Sequence, residues 1–292
     1  MTDQAYTLRR RAWEANRNSH YIAVSSGKGG VGKTNFTVNF ACQLASLGKK
    51  VLVFDADMGL ANVDIMLSLS VTATIKKYLE GRATIDDILK RNVYGFDVFP
   101  ASSGFMELAN VSDEDFDKIF NIFITLDDQY DFIIFDTGAG ISDSVIRFSS
   151  ISDTVIVVTQ PEPTAITDAY AFMKVVKQTY DIKRIHVVFN RVDDIQNSEN
   201  VFNSLKNVTM KFLNIDLRLL GHLKDDKDVR KAIRAQKPIS ILDPKAVFSR
   251  NIADCARRFL GMPVEKHKSA NVYDLFRGVF RWFLHLNIYQ FL

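Results

Sequence analysis

The chain has 292 residues, 47% hydrophobic and 24% charged, and 37 basic against 34 acidic side chains leave a net charge of +3. That balance belongs to a folded globular protein and excludes a mainly disordered chain, a collagen-like repeat and a coiled coil. No global basic field marks a nucleic-acid binder, and two distant cysteines, Cys42 and Cys255, exclude a disulfide framework and fit a reducing, cytoplasmic setting.

Residues 1–19 form an N-terminal extension with Arg9, Arg10 and Arg11 but no apolar run behind them, so they do not read as a signal peptide. No uncharged apolar run of roughly 18 residues occurs anywhere, so no membrane span is expected. From residue 20 to 262 short β-branched runs alternate with amphipathic stretches. Strands are expected at His20–Ser25, Lys50–Phe54, Phe96–Phe99, Phe132–Phe135, Thr154–Thr159, Ile185–Phe189 and Leu217–Leu220. Most are nearly all apolar, as strands covered on both faces should be. Helices are expected over Thr34–Leu47, Asp113–Asp127, Thr164–Thr179, Ser198–Leu213 and Asp226–Gln236, with capping boxes at Thr84/Asp87 and Ser112/Asp115. Repeated βα units predict an α/β fold, a doubly wound, mostly parallel sheet with helices on both faces.

Between the first strand and the first helix lies Gly27-Lys28-Gly29-Gly30-Val31-Gly32-Lys33-Thr34, followed by Asn35. A glycine, four residues and then Gly-Lys-Thr is the P-loop pattern. Glycines let successive N–H groups point inward and cradle phosphates at a helix N-terminus. Lys33 reaches the β- and γ-phosphates, and the Thr34 hydroxyl suits Mg²⁺. Asp55 and Asp57 follow one apolar strand and Asp136 ends another, so all three carboxylates belong at the carboxyl edge of the sheet beside that loop. Asp136 is assigned to orienting Mg²⁺ waters, with Asp55 in support. The histidines His20, His186, His222, His267 and His285 show no metal-ligand spacing.

Lys28 is not needed to cradle phosphate in an ordinary P-loop. With it, the segment resembles the deviant Walker A motif of the MinD/ParA family of ATPases. Val53–Asp64 resembles that family's switch I segment, Phe135–Gly140 its Walker B and switch II, and Thr159–Thr164 the turn that follows. The resemblance implies an ATP/ADP and Mg²⁺ site and a slow regulatory ATPase. In this family the early lysine, here Lys28, reaches the partner subunit's phosphates in an ATP-dependent homodimer. It also implies that Asp57 positions the attacking water and that Asn190 and Arg191 stand at the adenine. Lys224 stands where relatives often have proline, which departs from the family pattern.

The two ends narrow the reading. Asp3-Gln4-Ala5-Tyr6-Thr7-Leu8-Arg9 resembles the N-terminal motif of the FlhG branch of that family, which controls flagellar number and placement. Asp3, Gln4, Ala5, Leu8 and Arg9 are thereby expected to engage the GTPase FlhF, with basal-body or C-ring proteins as further partners. After a linker, the tail within 263–292 forms an amphipathic pattern on a helical wheel. Asp274, Arg277, Arg281 and His285 take one narrow side, and Leu275, Phe276, Val279, Phe280, Trp282 and Phe283 fill the other. Such a face must be buried in a membrane interface, a groove of its own core or a partner. The resemblance favours reversible membrane binding by residues 270–292, hence a cytoplasmic protein held peripherally at the inner face of the membrane. A MinD-type division-site ATPase and a ParA-type DNA partition ATPase remain the alternatives. A near-balanced charge and an aromatic tail speak against specific nucleic-acid binding.

Overall fold

The computed structural model describes Trp13 and residues 17–57, 62–100, 113–180, 182 and 184–264. The expectations for Asp3 to Arg9, the switch residues 58–61, the Ser112 cap and the tail from 265 onward lie outside the described residues.

The first half of the fold runs β1 (His20–Ser26), α1 (Lys33–Ser46), β2 (Val51–Ala56), α2 (Val63–Met66), α3 (Ile75–Leu79), α4 (Ile85–Ile88), β3 (Lys90–Val93) and β4 (Phe96–Phe99). It continues through α5 (Asp113–Leu126), β5 (Phe132–Ala139), α6 (Asp143–Ser150), β6 (Thr154–Thr159) and α7 (Pro163–Thr179). β7 (Arg184–Val192), α8 (Ile195–Leu213), β8 (Asp216–Lys224), α9 (Lys227–Arg234), α10 (Ile239–Leu242) and α11 (Val247–Phe259) complete it. The eight strands lie in the order β3-β4-β2-β5-β1-β6-β7-β8. All pairs are parallel except the edge pair β3·β4. This is the doubly wound α/β sheet that the alternating pattern predicts.

Alternation within each strand sorts the core. Ile22, Val53, Ile134 and Ile156 point to the face covered by α1 and α11, where Phe36, Phe40, Ile252 and Cys255 are buried. Tyr21, Phe54 and Phe135 point to the other face, against Phe120, Phe123 and Phe148 of α5 and α6. Farther along that face, α7 and α8 cover Val155, Val187 and Phe189. Because both faces are covered, the strands need no polar side, and their interior positions are almost wholly apolar.

Several boundaries differ from the sequence expectation. β5 and β7 run longer, to Ala139 and Val192, because pairing with Ser26 and Lys224 continues beyond the apolar run. α8 begins at Ile195, where the Asp194 carboxylate accepts the Asn197 N–H at 3.2 Å. The capping box at Thr84 and Asp87 is present, with both reciprocal bonds made. β3 has no apolar signature (Lys-Arg-Asn-Val) and pairs only at the sheet's edge. The chain entering β1 is fastened to the core. Trp13 is buried edge-on against Tyr21 and Phe120 with ring centroids 4.7 and 4.8 Å away, and the Asp127 carboxylate accepts the Asn18 N–H at 2.6 Å and the Tyr21 hydroxyl at 2.7 Å.

Candidate functional site

At the carboxyl edge of the central strands, the loop between β1 and α1 opens onto a cleft of about 810 Å³ lined by Gly29, Gly30, Val31, Gly32, Lys33, Thr34 and Asn35 from the loop. Asp57, Asn62 and Gly138 face it from the ends of β2 and β5. Two of the glycines are fixed by contacts. A side chain at Gly27 would bring a Cβ within 2.2 Å of the Asp168 backbone on α7. Gly32 has a φ of 92°, and a Cβ there would meet the Asn190 Nδ2 at 2.3 Å. The loop can curl this tightly against its neighbours only without those side chains.

The charged groups meet as β2 and β5 end. Asp55 and Asp136 are register partners, and both are fully buried. Asp136 accepts from Lys33 Nζ at 3.0 Å, Thr34 Oγ1 at 2.6 Å and Thr37 Oγ1 at 2.7 Å. Asp55 instead accepts three backbone N–H groups, from Asp57 and Val63 at 3.1 Å and Asn62 at 3.0 Å. Burial first, and then the adjacent Asp136 carboxylate, push Asp55 up to about 8, against the pull of those three amides. One carboxylate thus has a cation and the other backbone amides alone.

Asp57 follows directly on that pair, its backbone N–H held by Asp55. Its carboxylate accepts from Asn62 Nδ2 at 3.1 Å and faces Gly138 across the cleft. Lys28 is exposed on the outside of the loop, and its own carbonyl accepts from Ser26 Oγ at 3.0 Å. The sequence therefore places the loop, Lys33, Thr34, Asp55, Asp57 and Asp136 together, and the fold does bring them together.

Asn190 and Arg191 lie inside β7 rather than after it. A register shift between Phe189 and Val192, with a φ of 54° at Arg191, turns them out of the ladder. Asn190 Nδ2 donates to the Val31 carbonyl at 2.7 Å, which ties this bulge to the phosphate loop. Both residues line a second cavity of about 320 Å³ that shares Gly32, Asn35 and Ile233 with the main cleft and includes Lys224 and Asp226. Sequence reasoning missed Thr37, Asn62 and Gln236. Thr37 carries a usable signal, one turn beyond Thr34 on the same face of α1. Gln236 does not, because it donates to the Ile65 carbonyl at 2.7 Å from 171 positions away.

The donor set fits a phosphate-bound divalent cation. A hydroxyl and a carboxylate, Thr34 and Asp136, stand side by side at 2.6 Å with the Lys33 ammonium beside them, the oxygen donors and cation such a group needs. Among the described residues no helix is long and apolar enough to cross a membrane.

The AAA domain family matches residues 19–189. The antiactivator FleN of Pseudomonas aeruginosa is 39% identical over 228 residues, covering 78% of this chain and 81% of FleN. The flagellum site-determining protein YlxH of Helicobacter pylori is 34% identical over 241 residues, 82% of this chain and 81% of YlxH. Among solved structures, the MinC:MinD cell division complex of Aquifex aeolicus aligns over 86% of this chain and 99% of its own, at 29% identity and a TM-score of 0.68.

Proposed function

This chain belongs to the AAA-domain family of MinD-like P-loop ATPases that contains FleN and YlxH, and from that premise we propose that it is an ATP-driven switch regulating flagellar number or placement. The carrying observation is the division of labour at the cleft. Lys33 and Thr34 converge on the buried Asp136 at the floor of the loop, Asp57 lines the cleft with its carboxylate on Asn62, and Lys28 is exposed.

ATP is held by the N–H groups of residues 27–34 and by the Lys33 ammonium, with Asn190 and Arg191 on the purine side. Thr34 and Asp136 would hold Mg²⁺, with Asp55 supporting them, and when bound the ion neutralises the phosphate charge. Asp57 orients water toward the terminal phosphate, a role felt in the transition state and little in ground-state binding. Lys28, outside its own loop, reaches the phosphates of a second copy, so ATP favours a homodimer. Hydrolysis is slow and ends that state. Residues 3–9 engage FlhF and stimulate its GTP hydrolysis, and residues 270–292 bind the inner face of the membrane reversibly from the cytoplasm. Basal-body or C-ring proteins read the nucleotide state.

The test combines oligomeric state with partner activation. With ATP the wild type should elute as a dimer, and Lys28→Ala should bind ATP yet stay monomeric. The full chain should accelerate GTP turnover by FlhF, and Gln4→Ala or Leu8→Ala should weaken this. An ATP-dependent dimer that leaves FlhF unchanged would move the reading to a MinD-type division-site ATPase.

A further inference from the structure

Parallel strands gather their amino ends as surely as their carboxyl ends. At that opposite edge, His20, Phe132, Thr154 and Arg184, at the starts of β1, β5, β6 and β7, line a separate cleft of about 900 Å³. Lys49, Lys50, Arg218 and Arg258 complete its positive lining, against two carboxylates, Asp128 and Asp131.

Those two carboxylates are turned to neutral donors. Asp131 accepts the Lys50 backbone N–H at 2.8 Å, and Asp128 accepts from Asn18 Nδ2 at 2.5 Å. Arg218 has Asp216 at 3.3 Å. Among the described residues no carboxylate lies within salt-bridge distance of Lys49, Lys50 or Arg184, and Arg258 donates to the Leu220 carbonyl. Helix C-termini account for part of this charge. Lys49 follows α1 and Arg258 lies near the end of α11, where cations offset the helix dipole. They do not account for Lys50, Arg184 and Arg218, which stand at strands. The walls are aromatic, with Phe259 edge-on to His20 and to His186, both at 5.9 Å between ring centroids. His186 Nδ1 is buried without a hydrogen-bond partner in the cleft's lining. Burial first, and then the charges of Arg218, Arg184 and His20 against that of Asp216, push His186 down to about 4.

We propose that this amino-edge cleft is a second anion site, distinct from the phosphate loop, that takes a phosphate-bearing ligand between Lys50, Arg184 and Arg218. Guanidinium groups match phosphate oxygens in pairs, and Lys50 and Arg184 have donors free of carboxylates, while Arg218 shares its guanidinium with the half-exposed Asp216 at 3.3 Å. The ligand is either a soluble phosphate compound or the headgroup of an acidic lipid. The second source has a local reason, since Phe259, Leu260 and Gly261 of the cleft lead directly into the tail.

The test uses the full chain with ADP saturating the phosphate loop. Inorganic phosphate should shift the His20 and His186 ring signals in the NMR spectrum, and the double variant Arg184→Ala, Arg218→Ala should weaken that response by about tenfold or more. Vesicles of phosphatidylcholine containing phosphatidylglycerol distinguish the sources. If a lipid headgroup is the ligand, phosphate acts weakly and the double variant loses about tenfold in binding to the acidic vesicles, but not to pure phosphatidylcholine. If the ligand is soluble, vesicle binding is unchanged and the phosphate response carries the whole effect. Unchanged ADP affinity checks the fold of the variant. Should that fail, Lys50→Glu at an exposed side chain takes its place. Histidine signals and vesicle binding that ignore both probes, or that respond equally in the variants, overturn the proposal.

Discussion

At the carboxyl edge of the sheet the cation nearest the phosphate loop, Lys33, is only 8% exposed and lies 3.0 Å from a fully buried carboxylate. At the amino edge Lys50, Arg184 and Arg218 are exposed on the rim of a cleft whose own carboxylates are turned to amides. The same ligand chemistry is served in two ways. Lys33 is positioned in advance, together with Thr34 and Thr37, so little ordering remains to be done when phosphate arrives. The rim cations must be ordered by the ligand itself, and water screens them until then. The first edge should therefore bind tightly and resist salt, and the second should bind weakly and lose its ligand as salt rises.

The largest effect that sharpens this contrast is expected from Lys33→Ala. Removing a buried ammonium deletes a charge-assisted contact to phosphate and strands Asp136 without its cation. Nucleotide affinity measured by calorimetry should fall by about 100-fold or more. Lys50→Ala, at the other edge, should leave it within about twofold. Equal losses from the two variants would break the distinction between the edges.

Next in size is Asp57→Ala. The Asp57 carboxylate lines the cleft and accepts from Asn62, while Lys33 and Thr34 bond Asp136, so binding and turnover should separate. ATP affinity should stay within a few-fold, whereas hydrolysis falls by roughly 10²–10⁴ and the ATP dimer persists on a sizing column. A normal rate, or a loss of affinity as large as that of Lys33→Ala, would place Asp57 in the binding cluster instead.

The two edges also differ in how far they can be read from sequence. The carboxyl edge is legible because a phosphate loop is one contiguous segment, Gly27 to Thr34, and because Asp55, Asp57 and Asp136 each follow an apolar strand. The amino edge is not, since Lys50, Arg184 and Arg218 are scattered over 169 positions and meet only through strand order. Aligning strand starts would have gathered Arg184 and His20. It would not have placed Arg258, which arrives from α11, an element with no strong signal of its own in the residues that follow β8. Apolar periodicity likewise found seven strands and overlooked β3, whose Lys-Arg-Asn-Val needs only a partner at the edge. Asn190 and Arg191 were expected to follow the strand at the adenine, but they lie in a bulge inside β7 that depends on the positive φ at Arg191, which an arginine does not advertise.

The smallest expected effect concerns pH and belongs to the amino edge alone. His186 is pushed down to about 4 in the folded chain, first by burial and then by Arg218, Arg184 and His20, with Asp216 pulling the other way. In the unfolded chain an ordinary histidine titrates near 6.5. Between those two values the unfolded chain binds more protons than the folded one, so this group makes stability rise with pH from about 4 to about 6.5 and adds nothing further above that. His186→Gln removes that contribution. The variant's unfolding free energy from urea titration should fall less than the wild type's between pH 7 and pH 4.5, by up to about 1.4 kcal/mol per pH unit, and any difference at pH 7.5 should reflect packing alone. The neighbouring His20, also lowered by burial, keeps part of the slope in the variant. Because an anion seated among these arginines would offset their field, phosphate should raise the folded-state value of His186 and flatten the wild-type slope, and leave the His186→Gln slope less altered. A slope that is the same in both proteins would mean that neither burial nor the neighbouring arginines lower His186 in solution, and the pH contrast between the two edges would fall.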